Sequence, residues 1–85
     1  MTQVIIYTSP HCHYCTKAKM LLDKLDVPYL LYDISEDVDL RKEMLTRSGG
    51  RTSVPQIFIG EAHIGGFDDL YALYRAGNLG NHLNH

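Results

Sequence analysis

The chain has 85 residues, a formal net charge of −2 and a hydrophobic content of 45%. These values are typical of one small globular domain and not of a disordered segment. The nearly balanced charge gives no reason to expect a nucleic acid or an anionic membrane as a partner. No apolar run is long enough to span a membrane, and no secretory signal is visible. We therefore expect one cytoplasmic, monomeric domain over residues 1–85.

The first part of the chain predicts a strand, a helix and a second strand. Residues 3–8 are a β-branched, apolar run that is typical of a buried strand. Apolar side chains then recur at helical spacing, and they are Tyr14, Ala18, Leu21, Leu22 and Leu25. Pro28 ends this helix because proline disfavours helical conformation in the preceding residue. With residues 29–34 as a second strand, the unit implies parallel pairing and a right-handed crossover.

A second helix is predicted from Ser35, as its N-cap, to the pair Gly49–Gly50. Its basic residues Lys42 and Arg47 are expected to lie on a solvent-facing side.

The last part of the chain predicts a hairpin followed by a helix. Residues 56–59 and 62–64 form two strands joined by a tight turn, which should pair antiparallel. The final helix ends at Gly77, and residues 78–85 are expected to form a loosely ordered tail. The element order β-α-β-α-β-β-α predicts an α/β fold in which three helices flank a four-stranded mixed sheet.

Cys12 and Cys15 are the only two cysteines in the chain, and they lie where the first strand gives way to the first helix. The unpaired N–H groups and positive dipole end of a helix N-terminus would favour a thiolate at Cys12. Cys15 follows about one helical turn later, so its sulfur can close an intramolecular disulfide. This spacing predicts an exposed nucleophile at Cys12 and a buried resolving thiol at Cys15.

Three other roles for the cysteine pair are weaker. A structural disulfide would close too short a loop to restrict the unfolded chain much. A structural zinc site usually needs two well-separated ligand pairs, and besides His11 and His13 the only other histidine cluster is His82 with His85. The third alternative is two inert cysteines in the core, and a C-x-x-C motif beside a βαβ pattern argues against it. The residues favour a redox role.

Two further segments have both a functional and an ordinary interpretation. A cis peptide at Val54–Pro55 would expose the Val54 backbone to a peptide-like ligand, although proline is also simply tolerated at the start of a strand. The pair Gly65–Gly66 followed by Asp68 begins a helix whose amides could bind a carboxylate while the Asp binds an ammonium. The ordinary alternative is a glycine turn with an Asp cap.

Together these segments resemble the small bacterial glutaredoxins of the dithiol class. The resemblance is carried by three motifs in the family's order and spacing, namely Tyr7-Thr8 with Cys12-His13-Tyr14-Cys15, residues 51–59, and residues 63–70. It implies a thioredoxin-like fold and glutathione-dependent reduction of protein disulfides and glutathione mixed disulfides. Glutathione is then the co-substrate, the partners are glutathionylated or disulfide-containing proteins, and no metal is expected.

The resemblance also implies residue roles. Cys12 attacks the mixed disulfide and takes up the glutathionyl group, which Cys15 or a second glutathione then resolves. The implied glutathione-binding residues are Tyr14, Arg41, Ser53, Val54, Pro55, Gly66, Phe67 and Asp68. Among them, the Val54 backbone pairs with the cysteinyl amide like an added strand. Residues 66–68 hold the γ-glutamyl end, and Arg41 lies near the position that holds the glycyl carboxylate.

Two residues depart from the family's usual pattern. Ser9 stands where a lysine is common, so we expect a less stabilised Cys12 thiolate and a weaker hold on glutathione's carboxylate. His13 replaces the usual proline between the cysteines. It is either a solvent-facing loop histidine or, when protonated, a cation that assists the thiolate, and a more reducing disulfide is expected.

Two other functions stay open at this point. Some family members without the proline bind a [2Fe-2S] cluster between two subunits through the first cysteine and glutathione, so a cluster scaffold is the alternative. A thioredoxin-like donor served by a flavoprotein is the other. The absence of tryptophan and the segment of residues 65–69 argue against the donor.

Overall fold

The computed structural model describes residues 2–83 as one four-stranded sheet with helices on both faces. The elements are β1 (Val4–Thr8), α1 (His13–Lys24), β2 (Leu30–Asp33), α2 (Val38–Arg47), β3 (Gln56–Ile59), β4 (Ala62–Gly65), α3 (Phe67–Arg75) and α4 (Leu79–Leu83). Within the described residues, no helix has the length and apolar character needed to cross a membrane.

The strands are ordered β2-β1-β3-β4, so β1 is paired on both sides. Its Ile5 lies opposite Leu30 in the parallel pair with β2 and opposite Phe58 in the antiparallel pair with β3. The β3–β4 pair is an antiparallel hairpin. These pairings confirm the predicted mixed sheet with its βαβ unit and C-terminal hairpin.

Alternating side chains of β1 and β3 supply two cores, because successive residues of a strand point to opposite faces. One face packs against α1, α3 and α4, and its buried residues are Val4, Ile6, Ala18, Leu21, Leu22, Ile57, Ile59, Leu70 and Leu79. The other face packs against α2, and its buried residues are Ile5, Tyr7, Ile34, Met44 and Phe58. A sheet buried on both faces explains why β1 and β3 are apolar without alternation.

Polar contacts also attach α2 to the sheet. The Tyr7 hydroxyl donates to Glu43 Oε1 at 2.8 Å and accepts from Arg47 Nη1 at 3.0 Å. The Arg47 guanidinium lies 4.3 Å from the centroid of the Phe58 ring. Burial, followed by the hydrogen bond to Glu43, raises the pKa of Tyr7. The prediction of a solvent-facing Arg47 is therefore wrong, because its long side chain reaches back over the sheet and covers an aromatic ring.

The N-terminus of α2 also differs from the prediction. Asp37, not Ser35, is the N-cap, and its Oδ1 accepts the N–H of Leu40 at 3.0 Å. Ser35 instead donates its N–H and its hydroxyl to Asp33 Oδ1, at 2.8 and 2.6 Å. Ser and Asp are both good caps, so local preference alone could not choose between them.

A fourth helix replaces part of the expected tail. The prediction of three helices and a loosely ordered segment is wrong for residues 79–83, which form α4. Leu79 is buried in the core shared with α1 and α3, while Leu83 packs against its edge. Since two leucines in a polar segment carry little periodicity, the sequence could not show that this turn docks. The expectation for Asn84 and His85 lies outside the described residues.

Substitution of Met44 by alanine should destabilise the protein by about 2–5 kcal/mol, because it removes a buried side chain and leaves a cavity. Met44 is 0% exposed and Met20 is 64% exposed, so Met20→Ala is a matched control that should change stability by less than about 0.5 kcal/mol. The measurement is the free energy of unfolding from urea titration. Equal effects of the two substitutions would contradict the assignment of the α2 core.

Candidate active site

Cys12 is the N-cap of α1, as predicted. Its backbone is extended, with φ −93° and ψ 110°, and its Sγ accepts the N–H of Cys15 at 3.2 Å. The first amides of a helix have no partners within the helix and carry its positive partial charge. The Cys12 sulfur therefore lies at the end of the helix where the backbone can stabilise negative charge.

Cys15 is the buried member of the pair. It is 1% exposed, whereas Cys12 is only partly buried, and both are free thiols. Burial, followed by the hydrogen bond with Cys12, raises the pKa of Cys15, while Thr8 and the Ser9 backbone oppose the shift. The two thiols therefore differ in their access to solvent, as the spacing predicted.

The loop before β3 lies directly beside Cys12. The Cys12 thiol donates a hydrogen bond of 3.5 Å to the Val54 carbonyl oxygen, although the two residues are 42 positions apart. The Val54–Pro55 peptide bond is cis, as the family resemblance implied. The antiparallel pairing of β1 with β3 brings the end of one strand to the start of the other, and this juxtaposes the two loops.

A cavity of about 260 Å³ lies beside this contact. Its lining residues come from α1, from the loop before β3 and from the start of α3, and they are Tyr14, Arg51, Ser53, Val54, Pro55, Gly66, Phe67, Asp68 and Asp69. Seven of the eight residues predicted to bind glutathione therefore line one pocket. The eighth, Arg41, is not among the lining residues.

Arg51, and not Arg41, is the arginine that lines the cavity. Arg41 is exposed in the first turn of α2, whereas Arg51 follows Gly49–Gly50 and continues directly into the loop that lines the cavity. Gly49 and Gly50 both have positive φ, 73° and 96°, so the chain turns sharply after α2. In the sequence Arg51 immediately precedes the Thr-Ser-Val-Pro segment, but only the folded chain shows that Arg51 lines the cavity.

The start of α3 is a glycine turn with an aspartate capping contact, and its role in ligand binding stays a prediction. Gly66 is the N-cap, and its N–H donates to Asp69 Oδ2 at 3.0 Å. Gly65 has φ 117°, and a Cβ there would clash with the Asp69 carboxylate, so only glycine fits. Asp69 is thus engaged within the turn, whereas Asp68 is exposed and also lines the cavity.

One wall of the cavity is aromatic. The Tyr14 and Phe67 rings stack with centroids 6.4 Å apart, and Lys17 Nζ lies 5.1 Å from the Tyr14 centroid. Tyr14 is 52% exposed, so it does not pack in the core with the later apolar residues of α1. In the first turn the side chain passes beyond the sheet and packs on α3, which is consistent with the groove position implied by the resemblance.

His11 and His13 lie on another side of Cys12, where they line a cavity of about 220 Å³ together with Thr16. The His13 side chain is exposed, and its ring packs edge-on against Tyr14 at 6.3 Å. In residues 2–83, no group of three or more His, Cys, Asp or Glu side chains is arranged to hold a metal ion. Whether His13 assists the thiolate stays a prediction.

Comparison with known proteins identifies the family. The glutaredoxin family model matches residues 4–64. The chain belongs to the glutaredoxin family. Glutaredoxin 3 of Escherichia coli K12 is 51% identical over 79 residues, which cover 93% of this chain and 94% of that protein. Glutaredoxins carry out glutathione-dependent thiol–disulfide exchange, and this chain is an oxidoreductase of that type.

Solved glutaredoxin structures share the fold. The solution structure of the Brucella melitensis glutaredoxin has a TM-score of 0.83 at 51% identity and covers 98% of this chain and 89% of that chain. A crystal structure of the buckwheat glutaredoxin–glutathione complex has a TM-score of 0.86 at 29% identity, with coverage of 98% and 77%. The predicted thioredoxin-like fold is confirmed, with α4 as an addition.

Alkylation should separate the two thiols. Because its pKa is raised by burial, Cys15 has less thiolate than an ordinary cysteine at pH 7, and its reaction becomes appreciable only at more alkaline pH. We expect the Cys12→Ser variant to react with iodoacetamide roughly tenfold or more slowly than Cys15→Ser at pH 7. The check is mass spectrometry over a pH series. Equal rates for the two variants would contradict the assigned asymmetry.

Proposed function

We propose that Cys12 is the nucleophile of this glutaredoxin and that the adjoining cavity holds glutathione during the exchange. The observation that carries the proposal is the position of the Cys12 sulfur. It caps α1 and lies 3.5 Å from the Val54 carbonyl oxygen, on a residue that lines the cavity. A glutathionyl sulfur bonded to Cys12 would therefore have its peptide beside the Val54 backbone.

The reaction is two successive thiol–disulfide exchanges. The Cys12 thiolate attacks the glutathionyl sulfur of a mixed disulfide, forms a new S–S bond and releases the other thiol as a thiolate. The thiolate of a second glutathione then attacks the same glutathionyl sulfur, which produces glutathione disulfide and returns Cys12 to the thiolate. When the substrate is a protein disulfide, Cys12 attacks first and Cys15 releases the product by closing the intramolecular disulfide.

The cavity is chemically suited to the two ends of glutathione. The Val54 backbone can pair with the cysteinyl amide in the manner of an added strand. At the γ-glutamyl end, amides at the start of α3 suit the carboxylate, and Asp68 suits the ammonium. At the glycyl end, Arg51 is the cation at the cavity that suits the second carboxylate.

We further propose that the protein acts as a monomer in the cytoplasm, on glutathionylated and disulfide-containing proteins. Two free thiols and no other cysteine suit a reducing compartment. Nothing in the site favours the iron–sulfur scaffold over this activity. An absorption spectrum of anaerobically purified protein, with a visible cluster band as the deciding feature, would test that alternative.

Turnover of a small glutathionyl mixed disulfide, coupled to glutathione reductase, tests the assignment of the two cysteines. Cys12→Ser should abolish activity because no nucleophile remains at the helix terminus. Cys15→Ser should keep most of it, since a second glutathione can resolve the intermediate. An inactive wild type would overturn the proposed function, and an active Cys12→Ser would overturn the choice of nucleophile.

Two arginine variants decide which cation binds the glycyl carboxylate. Arg51→Gln should raise the KM for glutathione about five- to tenfold, as expected for the loss of about 1 kcal/mol of charge-assisted binding. Arg41→Gln makes the same change on exposed α2 and should alter this KM by less than about twofold. The reverse order would restore Arg41 as the binding residue. Both measurements use the same steady-state assay.

A further inference from the structure

Gln56 is a buried amide at the start of a strand that is otherwise apolar. It is 0% exposed, and the next three residues of β3 are buried Ile, Phe and Ile. A buried primary amide is costly unless it forms hydrogen bonds, and an apolar residue would pack there without that cost. The hydrogen-bond partners of the Gln56 amide therefore indicate why a polar residue occupies this position.

The Gln56 amide binds the loop that lines the cavity. Its Nε2 donates to the carbonyl oxygen of Ser53 at 3.0 Å and to the Ser53 Oγ at 3.3 Å. Its Oε1 lies 2.7 Å from His63 Nε2 on β4. The carboxamide thus uses both of its N–H groups and its oxygen, and no buried side-chain N or O atom in residues 2–83 lacks a partner.

His63 determines which way the Gln56 amide faces. With Oε1 directed to His63, the imidazole must carry its proton on Nε2 and donate. The reversed amide would place Oε1 against the Ser53 carbonyl oxygen, where two acceptors would repel each other. Burial, with Arg51 nearby, lowers the pKa of His63 against the opposing effect of Asp69, and the ring stacks on Phe58 at 4.8 Å. The stacking on Phe58 therefore holds the donating His63 ring of β4 in place.

The bond to Ser53 sets the direction of the next amide. The Ser53–Val54 peptide is trans, since the only cis bond in residues 2–83 is Val54–Pro55. In a planar trans peptide the C=O and N–H point in opposite directions. Because the Ser53 carbonyl is directed to Gln56, the Val54 N–H is directed away from it, on a residue that lines the cavity. The buried Gln56 side chain thereby orients the Val54 amide that would pair with glutathione.

We propose that Gln56, oriented by His63, is a positioning residue that aligns the Val54 backbone for glutathione. The proposal rests on the proposed function, because the aligned amide matters only if glutathione binds at Val54. Gln56 does not touch the reacting sulfur, so its loss should weaken glutathione binding without changing the nucleophile.

The test is Gln56→Met, which keeps an unbranched side chain of similar size and removes all three hydrogen bonds. The KM for the glutathionyl substrate should rise about tenfold while kcat and the rate of Cys12 alkylation by iodoacetamide each stay within about twofold. Gln3→Met is a matched control, because Gln3 is the other glutamine of the chain and is exposed. A folded Gln56→Met with an unchanged KM would overturn the proposal, as would a parallel loss of Cys12 reactivity.

His63→Phe is a second variant that tests the same hydrogen-bond chain and can be used if Gln56→Met fails to fold. His63→Phe keeps the ring stacked on Phe58 at an exposed position but cannot donate to Gln56. It should raise the same KM about threefold, and an unchanged KM would overturn the role of His63.

The Val54 amide gives a readout that does not depend on activity. Its resonance in the nitrogen–proton NMR spectrum should shift and broaden in both Gln56→Met and His63→Phe, but not in Gln3→Met. Absence of turnover in the wild type would overturn the proposed function alone. An unperturbed Val54 resonance in folded Gln56→Met would overturn the positioning role alone.

Discussion

The site depends on the pairing of β1 with strands on both sides. Parallel pairing with β2 follows from the crossover through α1, which places the helix N-terminus and Cys12 at the end of β1. Antiparallel pairing with β3 brings the loop before that strand to the same end, where Val54 meets the Cys12 sulfur. The position of Cys12 beside Val54 therefore follows from the way β1 is paired in the sheet. A change in the register of β1 with β3 would separate the two residues.

The two thiols differ in burial. Cys12 lies at the positive end of a helix with access to solvent, while Cys15 lies one turn further, inside the core. Desolvation disfavours the charged form of Cys15, so two residues of the same type differ because of their positions in the fold. The helix terminus supplies Cys12 with a stabilising field that needs no charged side chain.

The sheet also carries polar structure that serves the site indirectly. Arg47 and His63 both pack on the Phe58 ring, and each then forms a hydrogen bond elsewhere, Arg47 to Tyr7 and His63 to Gln56. The first contact holds α2 against the sheet, and the second fixes the amide that binds the loop before β3. Both are satisfied polar networks at the edge of an apolar core, where partial desolvation strengthens hydrogen bonds.

The family resemblance implied seven of the nine residues that line the cavity. Periodicity and motif spacing by themselves determined the order of the strands and the first three helices, and the place of Cys12 at a helix start. These follow from local rules, because apolar periods, glycine turns and proline positions act over a few residues. Only the tertiary structure decided which cation reaches the cavity, that Arg47 covers Phe58, that residues 79–83 dock as a helix, and that Gln56 binds Ser53. The positions of long side chains and weakly periodic segments depend on contacts with residues far away in the chain. Local sequence patterns do not reveal those contacts.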